Sequence, residues 1–167
     1  MAQKQMPMLD PESADFYRRA MRAMIGAGLP FLVGGAYAFE RYTGIARHTK
    51  DFDIFVRESD CERALEVLAA LGCRTERTFP HWLAKAHLGE RFVDVIYSAG
   101  SGIAVVDEEW FTHAEEGTVL EVPVPLIPAE EMIWSKAFVQ ERERYDGADV
   151  MHLLHCRAER LDWKRML

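Results

Sequence analysis

Apolar and polar residues alternate along this chain with two different periods, and the changes of period mark its elements. Asp10-Pro11-Glu12 opens a helix with an acceptor at the cap, Pro in the first turn and an acidic residue beside it. The helical pattern runs through "SADFYRRAMRAMIGA" and is expected to stop at Gly28. "PFLVGG" reads as a short buried strand ending at Gly34-Gly35, followed by a helix over "AYAFERY" that closes near Gly44. "DFDIFV" has period-2 alternation and β-branched and aromatic residues, the mark of a strand. Ser59 and Glu62 are spaced as a capping box for a helix over "CERALEVLAAL", with Gly72 as its stop.

Beyond Gly72 the pattern shortens. Cys73 to Thr78 and "RFVDVIY" read as strands, and "IAVV" and "GTVLEVP" as shorter ones flanking an exposed "DEEWFTHAEE". "VPVPLIPAEE" is extended and runs into a helix at Pro128; two helices, "AEEMIWSKAFVQERER" and "GADVMHLLHCRAERL", end the sequence. The order implies an α+β (α/β) domain: a mixed sheet flanked by helices, with residues 1–127 as core and 128–167 as a helical segment packed on it.

Composition narrows the class. With 167 residues, 49% hydrophobic and 28% charged, the chain can bury one sizeable core. It has no apolar run of the roughly 20 residues needed to span a bilayer. "MAQKQMPMLDPES" lacks the apolar centre of an export signal, and three cysteines without CxxC spacing suggest neither a disulfide framework nor a zinc site. The expectation is a cytoplasmic protein without a membrane partner. A net charge of −7 disfavours broad nucleic-acid binding, although Arg41, Arg47, His48 and Lys50 form a local basic cluster.

The candidate chemistry lies in "KDFDIFV". Alternate strand residues share a face, so Asp51 and Asp53 stand side by side while Phe52 and Ile54 turn to the core. Neighbouring carboxylates repel, and a divalent cation relieves the repulsion; oxygen ligands of this kind suit Mg²⁺ completed by substrate phosphates. An exposed strand start paired to Arg47 or Lys50 is the plainer alternative. Asp94 sits at the centre of "RFVDVIY", where an unpaired acid is costly. If the two strands are neighbours, three carboxylates meet. Gly34-Gly35 stands at a strand-to-helix turn, where backbone N–H groups can face phosphate.

The Gly pair opening a helix, the h-Asp-h-Asp-h strand and the later lone Asp together resemble the nucleotidyltransferases of the DNA polymerase β superfamily. The similarity is greatest to small bacterial members of the minimal, abortive-infection and lincosamide types. The resemblance implies a nucleotidyltransferase fold and transfer of NMP from an NTP such as ATP, with Mg²⁺ or Mn²⁺ as cofactor. It implies Asp51, Asp53 and Asp94 as catalytic and metal-binding carboxylates. Gly34, Gly35, Thr49 and Lys136 would lie at the nucleotide, with Arg142 or Arg144 near Lys136 and Asp146 or Asp149 bracing it. His48 stands where many relatives have Arg.

The acceptor is unassigned: a small molecule, a protein side chain or an RNA end, with nucleic acid disfavoured by the acidic charge. A homodimer stays open. So do a non-catalytic nucleotide- or partner-binding member of the fold and a metal-dependent phosphohydrolase. Asp149, His152, His155 and Cys156 on the last helix read as structural rather than as a zinc set. "FPHWLAKAH" reads as packed loop or strand, Trp110 and Trp134 as core or interface, and "QERERYD" as a solvated helix end.

Overall fold

The computed structural model describes residues 10–47, 49–99, 102, 104–138 and 146–166. The readings made for Met1–Leu9, His48, Arg142, Arg144 and the charge run around them lie outside these residues. Helix α1 spans Pro11–Gly26, capped by Asp10, whose carboxylate accepts from Ser13 N–H at 3.0 Å. Its end is a left-handed Gly28 (φ +61°), with the Leu29 N–H donating to the Met24 carbonyl at 3.0 Å. Strand β1 (Leu32–Val33) leads through Gly34 into α2 (Gly35–Thr43), and β2 is Asp51–Phe55.

Helix α3 covers Cys61–Ala70. The capping box expected at Ser59 does not form: Glu58–Asp60 is a 3₁₀ turn, and Asp60 takes the cap position without a side-chain cap bond. The Asp60 carboxylate is instead drawn 2.9 Å from Arg57 Nη1, which the sequence pattern did not weigh. Strands β3 (Arg74–Phe79), β4 (Leu83–Leu88) and β5 (Arg91–Ile96) form an antiparallel meander. The segment "FPHWLAKAH" thus supplies a turn and most of a strand.

A two-residue ladder, β6 (Ser98–Ala99) with β7 (Ala104–Val105), precedes α4 (Glu108–Thr112). Trp110 of α4 is buried against the Phe55 ring, with centroids 5.7 Å apart, so this stretch is not simply the exposed one expected. "GTVLEVP" is also not one strand. It is the hairpin of β8 (Glu115–Val119) and β9 (Val122–Leu126), turned at Leu120-Glu121 with φ of 48° and 66°. Positive φ at two non-glycine residues is costly, and the ladder the turn closes holds it there. Helices α5 (Ala129–Phe138), α6 (Gly147–Arg157) and α7 (Trp163–Met166) complete the described chain.

Seven strands form one mixed sheet in the order β3-β4-β5-β2-β1-β9-β8. β2 runs parallel to β5 and antiparallel to β1, and β1 runs parallel to β9. Phe52 is fully buried and stacks on Tyr17 of α1 at 4.7 Å, so α1, with α3 against it, covers the face that Phe52 and Ile54 share. Asp51 and Asp53 lie on the opposite face, where Asp53 borders a cavity shared with Met132, Ser135 and Lys136 of α5 and with Asp146. This is the mixed sheet with flanking and C-terminal helices that the pattern implied. Among the described residues no helix is long and apolar enough to cross a membrane.

Candidate active site

The two halves of the Asp motif face each other by strand register. In the parallel β2–β5 pair Asp53 lies directly opposite Asp94, and Asp51 opposite Phe92. The condition on which the triad depended, that the two strands be neighbours, is therefore met. Asp51 is exposed at the strand start, whereas Asp53 and Asp94 are half-buried.

Gly34 and Gly35 bring the N-terminus of α2 onto this point. The Gly34 N–H donates to the Asp53 carbonyl at 3.0 Å, pinning the turn to the middle of β2. A Cβ at Gly34 would stand 2.3 Å from Phe55 Cε2, and one at Gly35 only 1.8 Å from Asp53 Oδ2. Only a residue without a side chain lets the helix start this close to the carboxylate. Gly35 also has φ +56°, which glycine adopts freely. The partial positive charge of the helix N-terminus thus faces Asp53.

Thr49 braces the strand entrance. Its hydroxyl accepts from the Asp51 N–H at 3.0 Å and donates to the Asp51 carbonyl at 3.1 Å. Tyr17 donates to the Lys50 carbonyl at 2.8 Å, tying the same entrance to α1.

Asp94 is held by a residue the sequence pattern did not single out. Lys85 of β4 is its antiparallel register partner, and Lys85 Nζ lies 2.7 Å from Asp94 Oδ1. Burial pushes the Asp94 carboxyl above its usual range, and the Lys85 charge pulls part of that back. The available signal was Lys85 as a lone cation in the apolar run "LAKAHL", opposite in charge to the lone acid of the next strand.

Lys136 reaches the site from α5. Its ammonium pairs with Asp149 at 2.8 Å and Asp146 at 3.4 Å. Arg47 pairs with the same Asp149 and lies over the Phe39 ring, 4.6 Å from its centre. Asp149 is therefore occupied by two cations, and His152, His155 and Cys156 are exposed. Among the described residues no group of three or more His, Cys, Asp or Glu side chains is arranged to hold a metal ion. What the site offers a cation is the carboxylate pair on one face of β2, together with the recess beside Gly35. Mg²⁺ is commonly bound through one or two carboxylates plus phosphate oxygens, so this donor set fits it.

A cavity of about 180 Å³ is bordered by Gly35, Asp53, Asp94, Ser135, Lys136 and Asp146 on its polar side, with Trp82 among its apolar residues; Asp51 does not line it. Trp82 stacks on the half-exposed Phe79 at 5.2 Å.

No protein-family model matches the chain, and no curated protein matches it. Solved structures do. The solution structure of the antibiotic-resistance factor ANT(2'')-Ia superposes with a TM-score of 0.66 at 16% identity, covering 90% of this chain and 85% of that one. The crystal structure of ANT(2'')-Ia with adenylyl-2''-tobramycin gives 0.64 at 15% identity and 92% of each chain. The lincomycin-bound lincosamide antibiotic adenylyltransferase LnuA gives 0.58 at 16%, over 85% of this chain and 95% of that one. At such identities the likeness is one of fold. The chain has the fold these nucleotidyltransferase structures share: a mixed sheet flanked by helices, with further helices after it.

Proposed function

We propose that this protein transfers a nucleoside monophosphate from an NTP to a hydroxyl of a small-molecule acceptor. The observation that carries the reading is the meeting of Asp53 and Asp94 across the β2–β5 register, with the α2 N-terminus pinned onto Asp53 through Gly34. In this reading Asp51 and Asp53 hold Mg²⁺ or Mn²⁺, which when bound neutralises the triphosphate. The Gly34-Gly35 turn receives phosphate oxygens on its N–H groups, as helix N-termini do. Lys136, steadied by Asp146 and Asp149, adds an ammonium group to the cavity wall.

Asp94 then serves the acceptor. A carboxylate whose basicity is raised by burial is a better proton acceptor than one in water. It takes the hydroxyl proton as the acceptor oxygen bonds to the α-phosphorus and the bond to pyrophosphate breaks. Most of the acceleration comes from alignment and from fixed charge. A small-molecule acceptor is favoured by the acidic net charge and by the company of the fold: one neighbour is bound to adenylyl-tobramycin, and another is an adenylyltransferase of lincosamide antibiotics.

The test has two parts. Titration calorimetry with each NTP is run with and without Mg²⁺, on the wild type and on Asp51→Asn and Asp53→Asn. Metal-dependent binding that both variants lose is expected; absence of any NTP binding by the folded wild type rejects the reading. α-Labelled NTP is then incubated with hydroxyl-bearing acceptors. Label on an acceptor together with released pyrophosphate is expected, whereas free NMP or NDP alone would mark a hydrolase.

A further inference from the structure

The sheet face that borders the cavity is zoned by strand register. Asp53, Asp94 and Lys85 are successive partners across β2, β5 and β4 and form a charged row. Two residues along the same strands, Phe55, Ile96 and Leu83 are again partners and form an apolar row. All three line the cavity, as do Asp53 and Asp94. The rows lie about 7 Å apart, since a strand rises about 3.3 Å per residue.

Trp82 precedes Leu83, lines the same cavity and stacks on Phe79 with the ring planes 9° apart. Its N–H donates to the Phe79 carbonyl and its carbonyl accepts from the Tyr97 N–H, each at 3.0 Å, so a pinned backbone carries the indole. From α5, Met132 and Lys136, one turn apart, add one apolar and one charged side chain to the wall.

Phosphate groups and the proton-accepting Asp94 employ the charged row and leave the apolar one unassigned. An ammonium over Phe55, Ile96 and Leu83 would lose its water with no carboxylate in that row to replace it. An uncharged ring loses nothing there and buries apolar surface. Size sets a bound as well: an apolar cavity of about 150 Å³ takes benzene. A cavity of about 180 Å³ therefore has room for one ring and not for several. The acceptor hydroxyl must reach Asp94, and Ile96 of the apolar row follows Asp94 on the same strand face.

We propose that the acceptor is an uncharged alcohol whose hydroxyl sits on, or one or two bonds from, a single apolar ring. The ring lies on Phe55, Ile96 and Leu83 beside Trp82, and the hydroxyl meets Asp94. The hydroxyl oxygen bonds to the α-phosphorus, its proton passes to Asp94 and pyrophosphate leaves. This inference rests on the nucleotidyl-transfer reading and goes beyond it in naming the acceptor's chemical class and the residues that select it.

The experiment offers benzyl alcohol, 4-(aminomethyl)benzyl alcohol and tobramycin to the full chain with each α-labelled NTP and Mg²⁺. Benzyl alcohol is expected to give a kcat/KM about tenfold or more above the amino alcohol, whose ammonium would fall on the apolar row. Trp82→Ala should raise KM for benzyl alcohol by about tenfold and leave KM for the NTP unchanged, with Trp82→Phe close to wild type. A thermal melt checks each variant; where Trp82→Ala does not fold, Ile96→Thr, which puts a hydroxyl into the apolar row, is read in its place. A higher kcat/KM for tobramycin or the amino alcohol overturns the inference and leaves nucleotidyl transfer intact. A rise in KM for the NTP instead assigns the apolar row to the nucleobase and overturns it too. So does NTP binding with label on none of the three alcohols. If the folded wild type binds no NTP, the transferase reading falls and takes this inference with it.

Discussion

Replacing Gly35 with alanine separates two costs that meet at one residue. The new Cβ would stand 1.8 Å from Asp53 Oδ2, where real Cβ contacts stay beyond 3.0 Å, so the carboxylate must retreat by roughly 1.2 Å. The backbone there has φ +56°, and a left-handed conformation costs an L-residue about 1–2 kcal/mol. At about 2–4 °C of Tm per kcal/mol for a chain of this size, the melt should fall by about 2–8 °C. On the proposed reading Asp53 holds the cation, and disturbing what orients a metal ligand typically weakens metal affinity by about 10–100-fold, so Mg²⁺-dependent nucleotide affinity should fall accordingly. Gly28→Ala is the control. Gly28 has φ +61°, nothing within 4 Å of its would-be Cβ, and no place on the cavity wall. It should lose similar thermal stability and keep its nucleotide affinity. Calorimetry of Mg·nucleotide binding and scanning of both variants decide the matter. A Gly35→Ala protein that binds nucleotide and melts like wild type refutes the reasoning.

Three further outcomes are expected. Tyr42 donates from a buried hydroxyl to the Ile127 carbonyl at 2.7 Å, so Tyr42→Phe should cost about 1–3 kcal/mol in urea unfolding; no change would mean that water replaces the donor. Phe52→Ala removes a fully buried ring stacked on Tyr17 and should cost about 3–5 kcal/mol by calorimetry, while Phe52→Leu should cost less. Burial pushes the Asp149 carboxyl up, but hydrogen bonds and charge from Lys136 and Arg47 outweigh it and hold the group below its usual range. A depressed pKa contributes stability above the unfolded value of about 3.9, and that contribution is lost as pH falls through the lower folded value. Wild type should therefore exceed Asp149→Asn in stability near neutral pH, with the gap closing below about pH 4. A gap that stays constant on acidification rules this linkage out.

Local patterns were readable because they depend on near neighbours. The α1 cap, the stop at Gly28 and the strand faces of Asp51 and Asp53 all follow from period and from single-residue preferences. Where the sequence misled, a distant partner was acting. The Leu120-Glu121 turn carries none of the Gly or Asn that marks a hairpin, because the β8–β9 ladder supports its positive φ. The capping box at Ser59 gave way to a turn in which Arg57 draws the Asp60 side chain away.

By itself the sequence determined that two carboxylates share a strand face, that a Gly pair starts the helix before them, and that a lone acid lies in a later strand. Each is a property of adjacent residues. The tertiary structure alone decided that β5 lies beside β2 in the register that sets Asp53 against Asp94. It also decided that β4 brings Lys85 to Asp94, and that Asp149 gathers Arg47 and Lys136. Strand order and register follow from burying two sheet faces at once, and no short stretch of sequence carries that constraint.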